Sequence, residues 1–521
     1  MRTEIFDSTL RDGSQGEGIS FSVQDKMSIV KLLDEFGVAY IEAGNPGSNP
    51  KDVEFFSVLK SYKPKNAKLV AFGSTARNAD AVGEDKNICD ILSADTPSVA
   101  IFGKSWDLHV EKILKISLEE NLRLVKNTMA YLASKDKEVI FDAEHFFDGY
   151  KNNEEYAMKV LASAVEGGAS VLCLCDTNGG TMPHEIGEIT AKVCKMFPSV
   201  RVGIHCHDDT GCAVASSLTA VANGACHVQG TFIGFGERCG NADISTVIAD
   251  LTLKMGYDCG VDLTSLTSTG RQIAEISNVR LRNNHPYIGK SAFAHKGGMH
   301  IDGVQKCRES FEHIEPEQVG NERKFLMSEV AGRGTVLPRI QRFAPHLTKQ
   351  SPEITRITAA LKEAEHYGYQ YEGADASFEI FVKKQLGLLT PHFNVLMYKV
   401  EDGFPALDGK EQTYAIVKVE VDGKTELTCA CSNNGPVDAL DSAFRKAISV
   451  FYPCIENVNL QDYKVRVISS GTTTDSRVRV LIESVSGDRC FTTVGVSCNI
   501  IEASFKALVD SFEYELSIKE N

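Results

Sequence analysis

The sequence lacks three features that would each assign it to a broad class of proteins. None of its apolar runs approaches the ~20 residues that a membrane-spanning helix needs. Positive charge is in deficit, because the 521 residues carry a formal net charge of −15, which opposes binding to nucleic acid or to an anionic membrane. The start, MRTEIFDSTLRDG, has neither a basic segment nor a long apolar core, so we expect no removable presequence. These absences predict a globular protein with no nucleic-acid partner and no membrane partner.

Paired cysteine motifs are also missing, although the chain contains fifteen cysteines. The cysteines are spread thinly, and some of them, such as Cys173 and Cys175 in SVLCLCD, lie inside apolar runs. A disulfide scaffold is typical of a short secreted chain with closely spaced pairs. We therefore expect reduced thiols and a cytoplasmic location.

Helix and strand patterns alternate through the first half of the chain. Eight segments have the composition of buried strands: TEIFDST, VAYIEAG, KLVAFGS, SVAIFG, EVIFDAE, SVLCLCDT, VRVGIHCHDD and CHVQGTFIG. Apolar strands that alternate with amphipathic helices predict a parallel sheet covered by helices. Eight such units predict an α/β fold of the (β/α)8 TIM-barrel type. A doubly wound sheet is the alternative, but no glycine-rich phosphate turn follows the first strand.

The first helix of this pattern carries clear signals for both of its ends. In SVQDKMSIVKLLDEFG, Ile29, Val30 and Leu33 recur at helical spacing and predict one buried face. Ser22 is of the residue type that begins helices, and Gly37 is of the type that ends them. We therefore expect a helix between these two residues.

The composition changes twice after the barrel. Residues 269–394 are first rich in turn residues and then helical, which predicts mainly helical linker subdomains. Residues 395–521 contain two segments with the same order of strand, turn, strand and helix, and such a duplication predicts an α+β domain with an internal repeat. This domain could serve as a dimerisation module or as a ligand sensor. We therefore expect a barrel over residues 1–268, linker subdomains over 269–394 and a separate C-terminal domain over 395–521.

Two histidines one residue apart in IHCHDD indicate a metal site. Alternate side chains of a strand share a face, so His205 and His207 lie on one side and Cys206 on the other. In a barrel of this type, reactive groups lie where strands end and the following loops begin. Polar residues occur at the ends of several other predicted strands: Arg11, Asp12, Glu42, Glu144, Asp176, Thr177 and Asn241. Taken singly, each would more often be a solvated charge or a turn residue.

Together, four of these residues form a set of candidate metal ligands. Asp12, His205, His207 and Asn241 combine oxygen and nitrogen donors, which suits a divalent ion with open positions, such as Mg²⁺, Mn²⁺ or Zn²⁺. A structural zinc site would use four thiolate or imidazole ligands instead. A centre of this type could bind an anionic 2-oxo acid and polarise its carbonyl group. Arg11 would then face the oxygen on which negative charge develops.

The motifs FDSTLRDGSQ, YIEAG, CDTNGG, HCHDD, GERCGN and AFAHKGGMHIDGV occur in this order along the chain. In this combination they resemble the metal-dependent acyl-CoA Claisen synthases, the family that includes isopropylmalate, homocitrate and citramalate synthases. The repeated tail also resembles the regulatory LeuA-type domain of these enzymes. GSNPKDVEFF, VAIFGKSWDLHV and DAEHFFDGYK resemble the citramalate synthase branch. The implied reaction is an acyl transfer (EC 2.3.3 class) that condenses acetyl-CoA with pyruvate to (R)-citramalate and CoA, in isoleucine biosynthesis.

The resemblance also implies roles for individual residues. The same four residues, Asp12, His205, His207 and Asn241, would hold the metal. Arg11, positioned by Glu42, would stabilise the enolate or alkoxide oxygen, and it would contact the substrate. Thr177 would bind the keto acid, and Glu144 would act at the substrate and metal site.

His300, in GGMHIDG, matches a histidine that acts near the acetyl methyl group, in cis or in trans from a second subunit. A histidine is suited to exchange this proton near neutral pH. His295 is the alternative for this role. The chain departs from some citramalate synthases at Arg308 and Ser310, where they have asparagine and tyrosine, and from many relatives at Asp208, where they have asparagine.

Several alternatives remain at this stage. The acceptor could be 2-oxoisovalerate, which gives 2-isopropylmalate for leucine biosynthesis, or the longer acid of a homocitrate synthase, because one methylene discriminates by only about 1–3 kcal/mol. A lyase or aldolase on a similar barrel and a non-catalytic sensor are the other candidates. The resemblance implies a homodimer and feedback inhibition by isoleucine, with leucine as the alternative effector.

Overall fold

The computed structural model describes residues 2–326, 333–403, 412–468, 476–487 and 489–519. The chain forms two compact units. Unit 1 comprises Met1–Ala294 and Glu312–Lys324, and unit 2 comprises His295–Phe311 and Phe325–Asn521. The predicted domain boundaries at residues 268 and 394 remain predictions. No helix within the described ranges is both long enough and apolar enough to cross a bilayer.

Unit 1 contains the predicted barrel, in which eight strands form a closed sheet in sequence order. The strands are β1 (Glu4–Asp7), β2 (Tyr40–Gly44), β3 (Lys68–Ser74), β4 (Ser98–Lys104), β5 (Glu138–Glu144), β6 (Val171–Asp176), β7 (Arg201–Cys206) and β8 (His227–Gly230). All neighbours are parallel, and β1 pairs with β8 to close the sheet. The carboxyl ends of the strands therefore meet at one end, the mouth, and their amino ends meet at the other, the floor.

Helices follow the strands and cover the barrel. They are α1 (Val23–Phe36), α2 (Pro50–Leu59), α3 (Lys86–Ser93), α4 (Asp107–His109), α5 (Leu118–Ala133), α6 (Phe146–Asn152), α7 (Glu154–Glu166), α8 (Pro183–Met196), α9 (Ala213–Ala222), α10 (Ile244–Leu253) and α11 (Leu266–Ile276). The helix α1 begins and ends as predicted. Ser22 and Asp25 form a reciprocal capping box at its start, and Gly37 ends it with a φ of 99°, a conformation that favours glycine.

The interior of the barrel is filled with side chains rather than hollow. Phe6, Tyr40, Val70, Ile140 and other inward residues form a buried cluster of their own. Their packing closes the barrel over its lower part. Space for a ligand is therefore left only at the mouth, where the strand-end residues lie.

Unit 2 contains the linker helices and the repeated domain. Its first helices are α12 (Gly298–Lys306), α13 (Arg333–Ile340), α14 (Pro352–His366) and α15 (Asp375–Leu386), and two short strands, β9 (Ala294–His295) and β10 (Lys324–Phe325), pair with each other. Each repeat is a three-stranded antiparallel sheet followed by a helix. The first consists of β11 (Asn394–Gly403), β12 (Gln412–Val421), β13 (Lys424–Ser432) and α16 (Pro436–Ser449), and the second of β14 (Val458–Val467), β15 (Val478–Ser486), β16 (Arg489–Ser497) and α17 (Ile500–Lys519).

The internal repeat is confirmed, but each copy has one more strand than the sequence pattern predicted. The additional strands, β11 and β14, lie at the edges of their sheets. Most residues of β14 are exposed, and NVLMYKVEDG and VNLQDYKVRV mix polar and apolar residues. An edge strand that packs through only a few side chains has a weak hydrophobic signal, which is why the pattern missed both.

Candidate active site at the barrel mouth

The strand ends surround a cavity of about 250 Å³ at the mouth. Six of the predicted site residues line it: Arg11, Asp12, Glu144, Thr177, His205 and His207. They come from the ends of β5 and β7 or from the loops that follow β1, β6 and β7. The parallel order of the barrel brings together residues that are nearly two hundred positions apart in the sequence.

Asp12 and the two histidines form the centre of the cavity. The Oδ2 atom of Asp12 lies 3.3 Å from Nε2 of His205 and 3.7 Å from Nε2 of His207. One donor atom from each of the three residues lies within 4.8 Å of the others, a spacing at which all three could contact one ion. Burial alone would raise the pKa of Asp12, but Arg11 and His205 outweigh it and lower that pKa well below its usual value. Burial and His205 lower the pKa of His207 to about 4, so its ring is neutral near pH 7, as a ligand must be.

Asn241 lies next to this centre because its backbone forms an isolated antiparallel bridge with His207. Its Nδ2 atom donates to the carbonyl oxygen of Phe235 at 3.0 Å. Its Oδ1 atom is buried and has no hydrogen-bond partner among the described residues, and the same is true of Nδ1 of His207. A buried oxygen without a partner is costly unless a ligand satisfies it. The donor set therefore fits a divalent ion.

Arg11 lies between Asp12 and Glu42. Its Nε atom donates to Glu42 at 2.8 Å, and a terminal nitrogen lies 3.2 Å from Oδ2 of Asp12. The hydroxyl of Ser8 also donates to Glu42, and the guanidinium stacks 3.9 Å from the centre of the Phe72 ring. Burial would lower the pKa of Arg11, but Glu42 and Asp12 raise it, so the cation is permanent.

Thr177 and Glu144 have additional partners that the sequence did not indicate. The backbone N–H of His145 donates to the Thr177 hydroxyl oxygen at 2.9 Å, which leaves the hydroxyl proton available to a ligand. Glu144 pairs with Lys104, whose ammonium group comes from the end of β4. A cation therefore lies next to this cavity-lining carboxylate.

Asp208, the departure that could have weakened anion binding, is engaged elsewhere. Its Oδ1 atom accepts a hydrogen bond from the backbone N–H of Ala213 at the start of α9, at 2.8 Å. Asp209 forms an ion pair with Arg238 at 2.9 Å. Neither carboxylate lines the cavity.

His300 and its alternative, His295, belong to unit 2. His300 lies in α12, its side chain is exposed, and its ring centre lies 5.1 Å from that of Phe311. Arg308 and Ser310 lie just after α12, in a single 3₁₀ turn. The predicted role of His300 in proton exchange remains a prediction.

The sequence pattern did not indicate several residues that lie in or behind the cavity wall. Phe72 and Phe102 line the cavity with stacked rings whose centres are 5.3 Å apart, and Asp142 lines it two residues before Glu144. Gln229 lies behind His205 on β8. Burial, with a contribution from Glu42, raises the pKa of Asp142 to about 6. The period-2 alternation of β5 could have revealed Asp142, because it shares a face with Glu144.

Comparison with known families agrees with this architecture. The HMGL-like family model matches residues 2–273. The model of the homocitrate synthase post-HMGL domain matches residues 287–368, and that of the LeuA allosteric (dimerisation) domain matches residues 372–516. The fold and the matches define the class: an HMGL-like barrel enzyme with a LeuA allosteric domain.

Relatives similar over nearly the whole chain narrow this class. An (R)-citramalate synthase of Aquifex aeolicus is 50% identical, covering 98% of this chain and 97% of that protein, and one of Synechocystis sp. is 48% identical, covering 99% and 96%. A probable 2-isopropylmalate synthase of Methanopyrus kandleri is more distant, at 32% identity over 98% of this chain and 97% of that protein. The chain belongs to the (R)-citramalate synthase family of HMGL-like enzymes. Among solved structures, an HMG-CoA lyase of Bacillus subtilis matches 54% of this chain and 95% of its own, with 22% identity and a TM-score of 0.47.

Proposed function

We propose that the chain condenses acetyl-CoA with pyruvate to give (R)-citramalate and CoA, as an acyltransferase of isoleucine biosynthesis. The observation that carries this proposal is the cluster of six strand-end residues around one cavity, in a chain that is 41–50% identical to five (R)-citramalate synthases. The 2-isopropylmalate synthases are only 29–32% identical. This difference favours pyruvate over a bulkier acceptor.

Asp12, His205, His207 and Asn241 would hold a divalent ion, Mg²⁺, Mn²⁺ or Zn²⁺. When bound, such an ion supplies Lewis-acid polarisation of a keto group. The partnerless oxygen of Asn241 and the neutral His207 support this assignment.

Arg11 is proposed to donate to the oxygen that becomes negative as the new carbon–carbon bond forms. Glu42 accepts from one nitrogen of the guanidinium, and the Phe72 ring supports its face, so the group is oriented before the reaction begins. Preorganised donors of this type are worth more than mobile ones because no reorganisation is needed at the moment of reaction. Thr177 would direct its hydroxyl proton to the carboxylate of the keto acid, while Glu144, held by Lys104, would act beside it.

His300 is proposed to exchange the proton of the acetyl methyl group, with His295 as the alternative. A thioester methyl is a weak carbon acid, so the base must act together with electrostatic support for the enolate oxygen. Mixing two inactive variants, Asp12→Asn and His300→Ala, tests whether the histidine acts in trans. Activity regained in mixed dimers after co-refolding or co-expression would support action in trans, and no recovery would support action in cis.

Phe72 and Phe102 are proposed to limit the size of the acceptor. Their stacked rings occupy the apolar part of the cavity wall. A pocket narrowed in this way would accept a methyl group and exclude an isopropyl group.

The C-terminal domain is proposed to form a homodimer and to bind isoleucine, or alternatively leucine, as a feedback inhibitor. The LeuA allosteric (dimerisation) match supports this proposal. The outer face of the sheet β11–β13 exposes large apolar side chains, including Met397 at 46%, Tyr414 at 49% and Leu427 at 58%. In contrast, Val494 and Val496 of the second sheet pack in one cluster with the linker helices. None of the fifteen cysteines, all of which lie within the described residues, forms a disulfide, and this supports a reducing compartment, the cytoplasm.

The decisive experiment is an assay of the purified full-length chain with acetyl-CoA and a panel of keto acids, with free CoA detected by a thiol reagent. We expect pyruvate to give the highest kcat/KM, and chelation to abolish turnover until a divalent ion is restored. Preference for 2-oxoisovalerate would instead identify an isopropylmalate synthase. No release of CoA with any acid would overturn the condensation and favour a lyase or aldolase.

A further inference from the structure

Gln229 is a completely buried amide in the wall of the barrel, directly opposite a proposed metal ligand. It lies on β8, where it pairs in register with His205 of β7. Its Oε1 atom lies 3.0 Å from Nδ1 of His205, and its Nε2 atom donates to Oδ1 of Asp142 at 2.9 Å. Both ends of the amide are therefore in use, and the three side chains form one continuous hydrogen-bonded chain.

The acid at the end of this chain determines the direction of every hydrogen bond in it. An ionised carboxylate only accepts, so Asp142 requires the NH₂ end of Gln229. The amide oxygen must then face His205, where it accepts a hydrogen bond from Nδ1–H. His205 therefore carries a proton on Nδ1, which leaves Nε2, 3.3 Å from Asp12, as the nitrogen that can bind an ion.

We propose that Gln229 and Asp142 are positioning residues that fix the tautomer and ring orientation of His205 for metal binding. The inference rests on the proposed metal site, and it extends that site by two residues that are not among its proposed ligands. Groups hydrogen-bonded to the far nitrogen of a ligating histidine typically change metal affinity by about 10–100-fold.

The surroundings support a specific role rather than ordinary packing. The inward residues directly below these two side chains in the barrel are apolar, including Val70, Ala100 and Ile140. A carboxylate and an amide buried above this cluster cost free energy that apolar residues of similar size would not. The arrangement is therefore explained by what it does for His205.

The test is titration of the chelator-stripped full-length protein with Mn²⁺ by calorimetry, at pH 8, where Asp142 is ionised. Gln229→Leu removes the acceptor, and we expect Mn²⁺ affinity to fall by about 10–100-fold. Asp142→Asn lets the Gln229 amide adopt either orientation, so we expect a smaller loss of Mn²⁺ affinity than for Gln229→Leu. Thermal unfolding of each metal-free variant reports folding independently of the ion.

The double variant Gln229→Glu with Asp142→Asn is the sharpest test because it exchanges the amide and the carboxylate between the two positions. The introduced carboxylate would accept from Nδ1 of His205, and the introduced amide would donate to that carboxylate, so the same tautomer is required with the same total charge. We expect affinity to return to within about threefold of the wild type. Affinity that stays low in a folded double variant, or an unchanged affinity for folded Gln229→Leu, would overturn the proposal.

Two controls separate this inference from the proposed function. Glu138→Gln, at the opposite end of the strand that carries Asp142, should leave Mn²⁺ affinity unchanged. Asp12→Asn should abolish binding. If Asp12→Asn abolishes binding while Gln229→Leu does not weaken it, the positioning role fails and the metal site stands. If the wild type itself does not bind Mn²⁺, the proposed metal site is wrong, and the positioning role that rests on it is rejected with it.

Discussion

The strand β5 begins with Glu138 at the floor of the barrel and ends with Glu144 at its mouth. The buried polar groups at these two ends of the barrel differ in their hydrogen bonding. At the floor, Arg201 donates to Glu4, Tyr40 and Glu138 at 2.6–3.0 Å. Lys68 and Ser98 also donate to Glu138, both at 2.8 Å. The polar groups of this network bond to one another, so it can stabilise the fold without a ligand.

The mouth leaves buried polar atoms without partners. Oδ1 of Asn241, Oε1 of Glu42 and Nδ1 of His207 have none among the residues that the structure describes. Such groups cost stability until a ligand or ion arrives. The same strands thus carry a bonded network at one end and partnerless polar atoms at the other, so substitutions at the two ends should separate stability from binding.

The largest expected effect is at the mouth. Asp12→Asn removes the carboxylate that the two histidines and Arg11 surround, and we expect kcat/KM for pyruvate to fall by about 10³-fold or more. The variant should remain folded but lose some thermal stability, because Arg11 and His205 lose the carboxylate with which they pair. Activity near the wild-type value would show that the floor and mouth do not differ as described.

A second substitution changes selectivity at the mouth. Phe102→Ala should shift the ratio of kcat/KM for 2-oxoisovalerate and pyruvate by about 10–200-fold in favour of the larger acid, because space opens beside Phe72. Parallel assays with both acids measure this ratio. Phe293→Ala, at a buried phenylalanine that does not line the cavity, is the matched control and should leave the ratio unchanged. An unchanged ratio in the Phe102 variant would exclude these rings as the size filter.

At the floor, Glu138→Gln should lower the free energy of unfolding and leave turnover unchanged. Burial would raise the pKa of Glu138, but Lys68 and Arg201 lower it from 4.5 to about 2. We expect a loss of roughly 1–3 kcal/mol near neutral pH, because the site is half-buried and other bonds remain. Denaturant unfolding provides the measurement, with Glu144→Gln at the mouth as the matched control.

The pH dependence of this loss has a definite sign. A carboxyl group whose pKa is lowered by folding stabilises the protein above its ordinary pKa, and this contribution disappears as the pH falls through its folded value. The difference between wild type and Glu138→Gln should therefore be constant above pH 4.5 and shrink between pH 4.5 and 2. A difference that grows on acidification would contradict the assigned network.

The smallest effect concerns the floor hydroxyl of Tyr40. It accepts from Arg201 at 3.0 Å and donates to Glu138 at 3.1 Å. Tyr40→Phe keeps the ring but loses these bonds, so we expect a loss of about 0.5–1.5 kcal/mol in the free energy of unfolding. Turnover should remain at the wild-type level, and a large fall in kcat would link the floor to the chemistry.

The barrel could be predicted because its strands are short, continuous apolar runs between amphipathic helices. The capping signals at Ser22 and Gly37 are local, so they could be read from a few residues. Edge strands β11 and β14 could not, because their residues are mostly solvated or mixed and each pairs with only one neighbouring strand. A local hydrophobic pattern predicts a strand well only where the side chains of that strand are almost completely buried.

The site was predictable where a polar residue interrupts an apolar strand end, as at His205, His207 and Glu144. It was not predictable where the residue type is ordinary for its place. Phe72 and Phe102 are apolar residues of the kind found in any buried strand. Their position near Arg11 depends on the closure of the barrel, which the local sequence does not reveal. Gln229 lies within a short strand, and its proposed role depends on its hydrogen bonds to Asp142 on β5 and His205 on β7.

The stack of Arg11 on Phe72, and of Phe72 on Phe102, couples two properties that enzyme designers would prefer to adjust independently. The ring proposed to limit the size of the acid also supports the guanidinium proposed to take up the developing charge. Redesign of this protein for longer products should therefore lose turnover as it gains breadth, unless a second substitution restores a flat surface beneath the arginine.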